Sequence, residues 1–298
     1  MKSLIDKIID HKNQEVENHR KKTPVKDLKK MSAVYNPKSF KKALSVFGII
    51  GEIKAKAPSI GNMSRESVQK SISLYDKFPI VRAISVLTDE HYFGGSLKKL
   101  HEYRQKTDKP LLRKDFILDE YQVWEAKAYG ADAILLMASV HRKDASKFKA
   151  IYELATEIGL DVLIEFGMEV NPQKKFIPKG ATIFGINSRR FKTAGTYQLS
   201  NFINKFVHKD LTIDNQIHFE LFNELNKLVP GKKTIVAESG ISQPSELDTL
   251  IKHGFSAALI GTALLRKGGN IEAILESYSS FIKENEPKLA KKLQLHFA

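Results

Sequence analysis

Short apolar runs of strand length recur along the chain. At least five of them end in a polar or ionisable residue: IIGEIK (49–54), PLLRKD (110–115), VLIE (162–165), IFGIN (183–187) and TIVAES (234–239). Continuous apolar runs mark strands buried on both faces, and a charge inside one is costly unless it emerges at one end into a shared polar pocket. AISVL (83–87), AILLM (133–137) and AALIG (257–261) bring the strand candidates to eight. Amphipathic stretches between them predict helices over 64–76, 96–105, 119–129, 144–158, 244–253 and 270–283. Ser, Asp or Pro opens several of these, and Gly130 and Gly159 follow two of them.

Eight strands, each followed by a crossover, predict an α/β chain closed into a (β/α)8 TIM barrel with an N-terminal helical extension. An open doubly wound sheet shares the alternation, but its GxGxxG fingerprint after the first strand is absent. A barrel demands that catalytic side chains come from the carboxyl ends of several strands, which is where the polar run-ends fall. AESGI (237–241) and LIGTALLR (259–266) close the last two strands with Gly-containing turns, where backbone N–H groups can approach phosphate oxygens. Tight turning alone is the competing reading of Gly240 and Gly261.

The 298 residues carry a net charge of +14, which raises nucleic acid as a partner. Residues 1–45 hold 12 basic and 5 acidic side chains, half of that excess, interleaved with apolar positions such as Leu4, Ile8, Ile9 and Val16. That spacing fits an amphipathic helix with a solvated charged face, and no nucleic-acid-binding motif is present. With no cysteine, disulfides and thiolate metal sites are excluded. No signal-peptide or membrane-length apolar segment appears, so a cytoplasmic protein is the expectation. His91, His101 and His141 lack metal-type spacing with carboxylates and read as surface or loop residues.

EIKAKAPSIG (52–61), SVLTDEHYFGGSLKKL (85–100), LLRKDFILDEYQVWEAKAYGADAILLM (111–137), LIEF (163–166), FGINSR (184–189), AESGIS (237–242) and LIGTALLR resemble indole-3-glycerol phosphate synthases, in the same order and with nearly the same spacing. PKSFKKAL (37–44) extends the likeness into the leading segment. The resemblance implies closure of an indole ring. An anthranilate joined to a deoxyribulose phosphate condenses, then loses carbon dioxide and water, without a metal or organic cofactor. It implies a phosphorylated small-molecule substrate and no membrane or nucleic-acid partner, with other tryptophan-pathway enzymes as candidate protein partners.

Carried over residue by residue, the resemblance makes Lys114 the general acid at the carbonyl. A pKa lowered by burial beside Lys54 or Arg113 would suit that role. Glu165 becomes the acid or base of dehydration, and Glu52 holds Lys114 or Lys54 in place. Lys54 contacts the anionic substrate, and Asn187 meets the sugar hydroxyls or the migrating charge. Which proton transfers belong to Lys54 and which to Glu165 stays open. Arg189, Ser239, Gly240, Gly261 and Thr262 cradle the phosphate, Glu238 orients the polar network, and Pro58, Phe93, Phe116 and Leu135 line an apolar slot for the anthranilate ring. A structural Lys114–Glu165 pair is the competing reading, disfavoured because buried ion pairs stabilise poorly compared with apolar packing.

The chain departs from the family pattern at Ala57, where a serine is usual, and at Arg190 and Phe191 after GINSR. The stretch 192–233 is longer than the usual connection and suggests a lid, an interface or an insertion. The expected organisation is a helical extension over 1–45 and a barrel over 46–298 with a mixed insertion around 192–233. Phosphoribosylanthranilate isomerase is the alternative phosphate-binding barrel, and a non-catalytic barrel binding an acidic partner is the alternative of another class.

Overall fold

The computed structural model describes residues 3–58, 61–167, 170–191, 211–213 and 219–297, with backbone alone at 4, 189–191, 211–213 and 286–297. The expected eight runs form eight parallel strands: β1 (Gly48–Ile53), β2 (Val81–Leu87), β3 (Leu111–Lys114), β4 (Ala133–Met137), β5 (Asp161–Gly167), β6 (Ile183–Asn187), β7 (Thr234–Glu238) and β8 (Ala257–Ile260). Each strand pairs with the next in order, and β8 pairs with β1 through Gly48 opposite Ala257 to close the barrel.

The period-2 alternation of a strand separates two cores. Ile49, Ile53, Leu111, Val162, Ile164, Phe184, Ile235 and Ala258 face outward into the layer between strands and helices. Ile50, Leu112, Leu163, Ile183, Val236 and Leu259 fill the barrel interior. Continuing the inward set to the carboxyl ends reaches Glu52, Lys114, Glu165, Asn187 and Glu238, so one parity rule supplies both the packed interior and the polar side chains above it.

Helix starts are set by capping side chains, which satisfy orphan N–H groups of the first turn. Ser64, Ser96, Asp119 and Asp144, expected as first helical residues, are the N-caps of Arg65–Lys77, Leu97–Arg104, Glu120–Ala128 and Ala145–Glu157. The last helix runs Ile271–Phe297, past the expected end at 283. Most of the 192–233 stretch lies outside the described residues. Its described parts are strand Leu211–Ile213, antiparallel to Arg189–Phe191, and helix Phe219–Leu228.

The leading segment forms helix α1 (Leu4–Lys22) and helix α2 (Val25–Ala33). Ile5, Ile8 and Val16 of α1 are buried as the amphipathic pattern predicts. Polar contacts fasten α1 to the barrel: Arg142 Nη2 to Asp6 Oδ1 at 2.6 Å, Arg20 Nη2 to Asp119 Oδ1 at 2.8 Å, and His19 Nδ1 to Glu125 Oε1 at 2.8 Å. Among the described residues no helix is long and apolar enough to cross a membrane.

Candidate active site

A cavity of about 240 Å³ opens at the carboxyl ends of the strands. Its floor is ionic. Lys114 Nζ lies 2.6 Å from Glu238 Oε2, 3.8 Å from Glu52 Oε2 and 3.9 Å from Glu165 Oε2. Lys54 Nζ donates to Glu52 Oε1 at 2.5 Å. All five of these side chains are buried or nearly so. Side chains from four separate motifs, spanning residues 52 to 238, therefore gather at one ammonium.

Glycines make the room this cluster needs. A Cβ on Gly185 would overlap the Glu238 carboxylate, and one on Gly261 would overlap the Glu52 carboxylate.

Burial alone would lower the Lys114 pKa, but the carboxylates of Glu238, Glu52 and Glu165 outweigh it and hold the ammonium above its ordinary range. The expected downward shift is thus corrected. The expected cationic neighbour is not there: Arg113 points to the opposite side of β3, where Nη1 donates to Gln122 O at 2.8 Å and meets Glu125 at 3.2 Å, and Nη2 meets Asp115 at 3.1 Å. Lys54, the other expected neighbour, has its charge met by Glu52.

Glu165 shifts the other way from an ordinary carboxylate. Burial and the Glu238 carboxylate push its pKa well up, against Lys114 and a hydrogen bond with Asn187. Burial and the neighbouring Glu238 carboxylate thus favour the protonated form of Glu165. Lys114 and Glu165 are therefore members of a five-residue network and not an isolated pair.

The upper walls divide by chemistry. Phe93, Phe116, Leu135, Leu87 and Met137 form an apolar side, with the rings of Phe93 and Phe116 6.2 Å apart. Across the cavity stand the turns after β7 and β8. Ser239 (φ 70°) and Gly240 (φ 78°) are consecutive left-handed residues, and Ser239 is the sole non-glycine with positive φ among the described residues. Such a conformation costs a serine roughly 1–3 kcal/mol and persists where surroundings over-determine it. It lays Ser239, Gly240, Ile241 and Ser242 along the wall, facing Gly261, Thr262, Ala263 and Arg266. The Thr262 hydroxyl is buried without a protein partner.

One expected site residue stands elsewhere. Pro58 follows the short segment Lys56–Ala57, which has left β1 to pair antiparallel with Gly61–Asn62, and it is not part of the cavity wall. The side chain of Arg189 lies outside the described residues. His141 lies in a loop, as one of its two expected settings has it, but it is buried there with Nε2 2.8 Å from Ile117 O, and burial lowers its pKa. Asp115, Ser242 and Arg266 are wall residues that motif reading passed over, although each lies inside or at the edge of a quoted motif. Among the described residues no group of three or more His, Asp or Glu side chains is arranged to hold a metal ion.

Fold and site together define a TIM-barrel enzyme whose cavity has an ionic cluster at its floor and two glycine-containing turns along one wall. Solved barrels share the architecture at low identity. The tryptophan synthase complex from Pyrococcus furiosus aligns with TM-score 0.55 and 15% identity, covering 81% of this chain and 100% of that one, which supports the fold alone. The indole-3-glycerol phosphate synthase family model matches residues 5–276. Curated indole-3-glycerol phosphate synthases from Lachnospira eligens (36% identical, 92% of this chain and 96% of that one) and a Thermoanaerobacter species (35%, 94% and 98%) match nearly end to end. The relative from Aquifex aeolicus is 36% identical over 76% of this chain and 80% of its own. The chain belongs to the indole-3-glycerol phosphate synthase family, carbon–carbon carboxy-lyases of tryptophan biosynthesis.

Proposed function

We propose that the cavity binds 1-(2-carboxyphenylamino)-1-deoxyribulose 5-phosphate with its aryl ring between Phe93, Phe116 and Leu135. Its phosphate rests on the Ser239–Gly240 and Gly261–Thr262 turns, with Arg189 and Arg266 adding charge. Lys54 meets the substrate carboxylate. The aryl carbon bearing that carboxylate attacks the ketone carbon, and the carbonyl oxygen takes a proton from Lys114. A raised ammonium pKa does not obstruct this step, because the oxygen turns into an alkoxide, more basic than the amine, as the bond forms. Glu238 and Glu52 stabilise the cationic nitrogen that develops on the substrate. Carbon dioxide then leaves. Protonated Glu165 delivers a proton to the departing hydroxyl, assisted by Asn187, and a proton lost from the former sugar methylene completes the indole.

The observation that carries this reading is Lys114 among three carboxyl groups beneath a wall of two glycine turns. We also read the chain as a helical extension over 1–45 on a barrel over 46–298, with an insertion around 192–233, working in the cytoplasm. Incubating the purified protein with the anthranilate deoxyribulose phosphate and following indole fluorescence tests the function. Product formation lost in Lys114→Met supports it, and no product from the wild-type chain rejects it.

A further inference from the structure

Lys12, on the charged leading helix, is a fully enclosed lysine that the reaction does not use. It lies on the apolar stripe of α1, one turn from Ile8 and one from Val16, and none of its side chain is exposed. Its Nζ lies 2.8 Å from Asp89 Oδ2, 2.9 Å from Asp115 Oδ1 and 2.8 Å from Glu15 Oε1. A lysine inside a protein stabilises less than an apolar side chain of similar size, so stability alone is a weak reason for this arrangement.

The two aspartates have tasks of their own. Asp89 follows β2 and caps the short turn of helix Glu90–Phe93, accepting from Tyr92 N at 2.6 Å through Oδ1. Asp115 follows β3 and accepts from Phe116 N at 2.8 Å through Oδ1, the oxygen that Lys12 also holds. Its Oδ2 takes Thr88 Oγ1 at 2.6 Å and Arg113 Nη2 at 3.1 Å. Phe93 ends one segment and Phe116 opens the other, and both rings form the apolar side of the cavity. His11 adds a second contact, its ring 4.4 Å from that of His91 on the same turn.

We propose that Lys12 is a positioning residue for the aryl end of the substrate pocket, its ammonium tying together the two carboxylates from which the Phe93 and Phe116 segments hang. This rests on the aryl-slot assignment made above. The phosphate turns after β7 and β8 have no contact with this tie, and Lys114 is held from its other side by Glu238. Loosening Lys12 therefore weakens recognition of the ring and spares both phosphate binding and the chemical step.

The test compares wild-type enzyme with Lys12→Met and with the charge-balanced pair Lys12→Met/Asp89→Asn. Asparagine caps a helix about as well as aspartate, so the pair removes the tie without leaving an extra carboxylate. Steady-state constants are measured, along with calorimetric binding of anthranilate, a probe of the aryl slot, and of inorganic phosphate, a probe of the rim. In both variants KM should rise about tenfold and anthranilate binding weaken about tenfold, with kcat and phosphate binding within about threefold of wild type. Unchanged anthranilate binding, or equal weakening of both probes, overturns the proposal. If Lys12→Met does not fold, the pair decides. Recovery of wild-type anthranilate binding in the pair, or failure of the pair to fold, assigns Lys12 to charge balance and stability instead. Absence of product from the wild-type enzyme would reject the assigned reaction, while the two binding measurements still judge Lys12.

Discussion

Glu52 and Gly261 meet across the seam where the barrel closes, the Glu52 carboxylate occupying the space a side chain at 261 would need. The same carboxylate bonds Lys54 and faces Lys114, so a glycine in the turn after β8 sets the placement of charge on the floor. Gly261→Ala should therefore displace Glu52. The clash of the added methyl with the Glu52 carboxylate costs about 1–3 kcal/mol. Circular dichroism should report a folded barrel with a lowered Tm, and kcat should fall about tenfold or more. Wild-type turnover would show that Glu52 tolerates displacement.

Lys114→Met removes the cation that three buried carboxyl groups share. Turnover should drop by a factor of about 10³ or more, because loss of a general acid alone removes about 10²–10⁴-fold and charge balance is lost with the proton donor. Breaking a buried ion pair from one side costs about 3–5 kcal/mol, and the deficit should shrink as pH falls and the orphaned carboxylates take up protons. Urea titrations at several pH values measure this. A deficit independent of pH would show that the carboxylates do not feel Lys114.

Glu165 carries a raised pKa in the folded state. Its contribution to stability is present below the unfolded carboxyl value of about 4.3 and is lost as pH rises through the folded value, since only the unfolded chain releases its proton in that window. Glu165→Gln should therefore equal wild type in stability at strongly acid pH and exceed it increasingly above about pH 4.3. Its kcat should fall about a hundredfold or more, since an amide cannot pass the proton. Parallel stability–pH curves for the two proteins would contradict the assigned protonation.

Arg189→Ala and Arg266→Ala bear on the phosphate end. A handle remote from the reacting atoms contributes binding common to ground and transition states, so each should raise KM about tenfold with kcat little changed. A fall in kcat at constant KM would place either arginine in the chemical step.

The barrel is legible in the sequence because parallel strands buried on both sides must be apolar throughout, leaving the strand-end charges conspicuous. IIGEIK and LIEF reveal Glu52, Lys54 and Glu165 in this way. Helix starts at Ser64 and Asp119 are visible to within a residue because capping is local chemistry. The sign of the Lys114 shift is not, since it depends on which of Arg113 and the distant Glu238 lies nearby in space. His141 illustrates the same limit: its burial follows from a carbonyl, Ile117 O, supplied by another loop. Lys12 left a trace in its i, i+4 spacing with Ile8 and Val16, but many lysines share that helix, and only the fold pairs this one with Asp89 and Asp115.

Adjacent on β3, Arg113 is wired beneath a helix while Lys114 stands at the floor of the cavity. Sliding this four-residue strand by one position would exchange the fixed guanidinium for the working ammonium, and nothing in the strand's composition would reveal it. A single-residue deletion between 105 and 111 thus endangers catalysis more than many substitutions inside the pocket, which makes that plain connector the frame on which the chemistry is indexed.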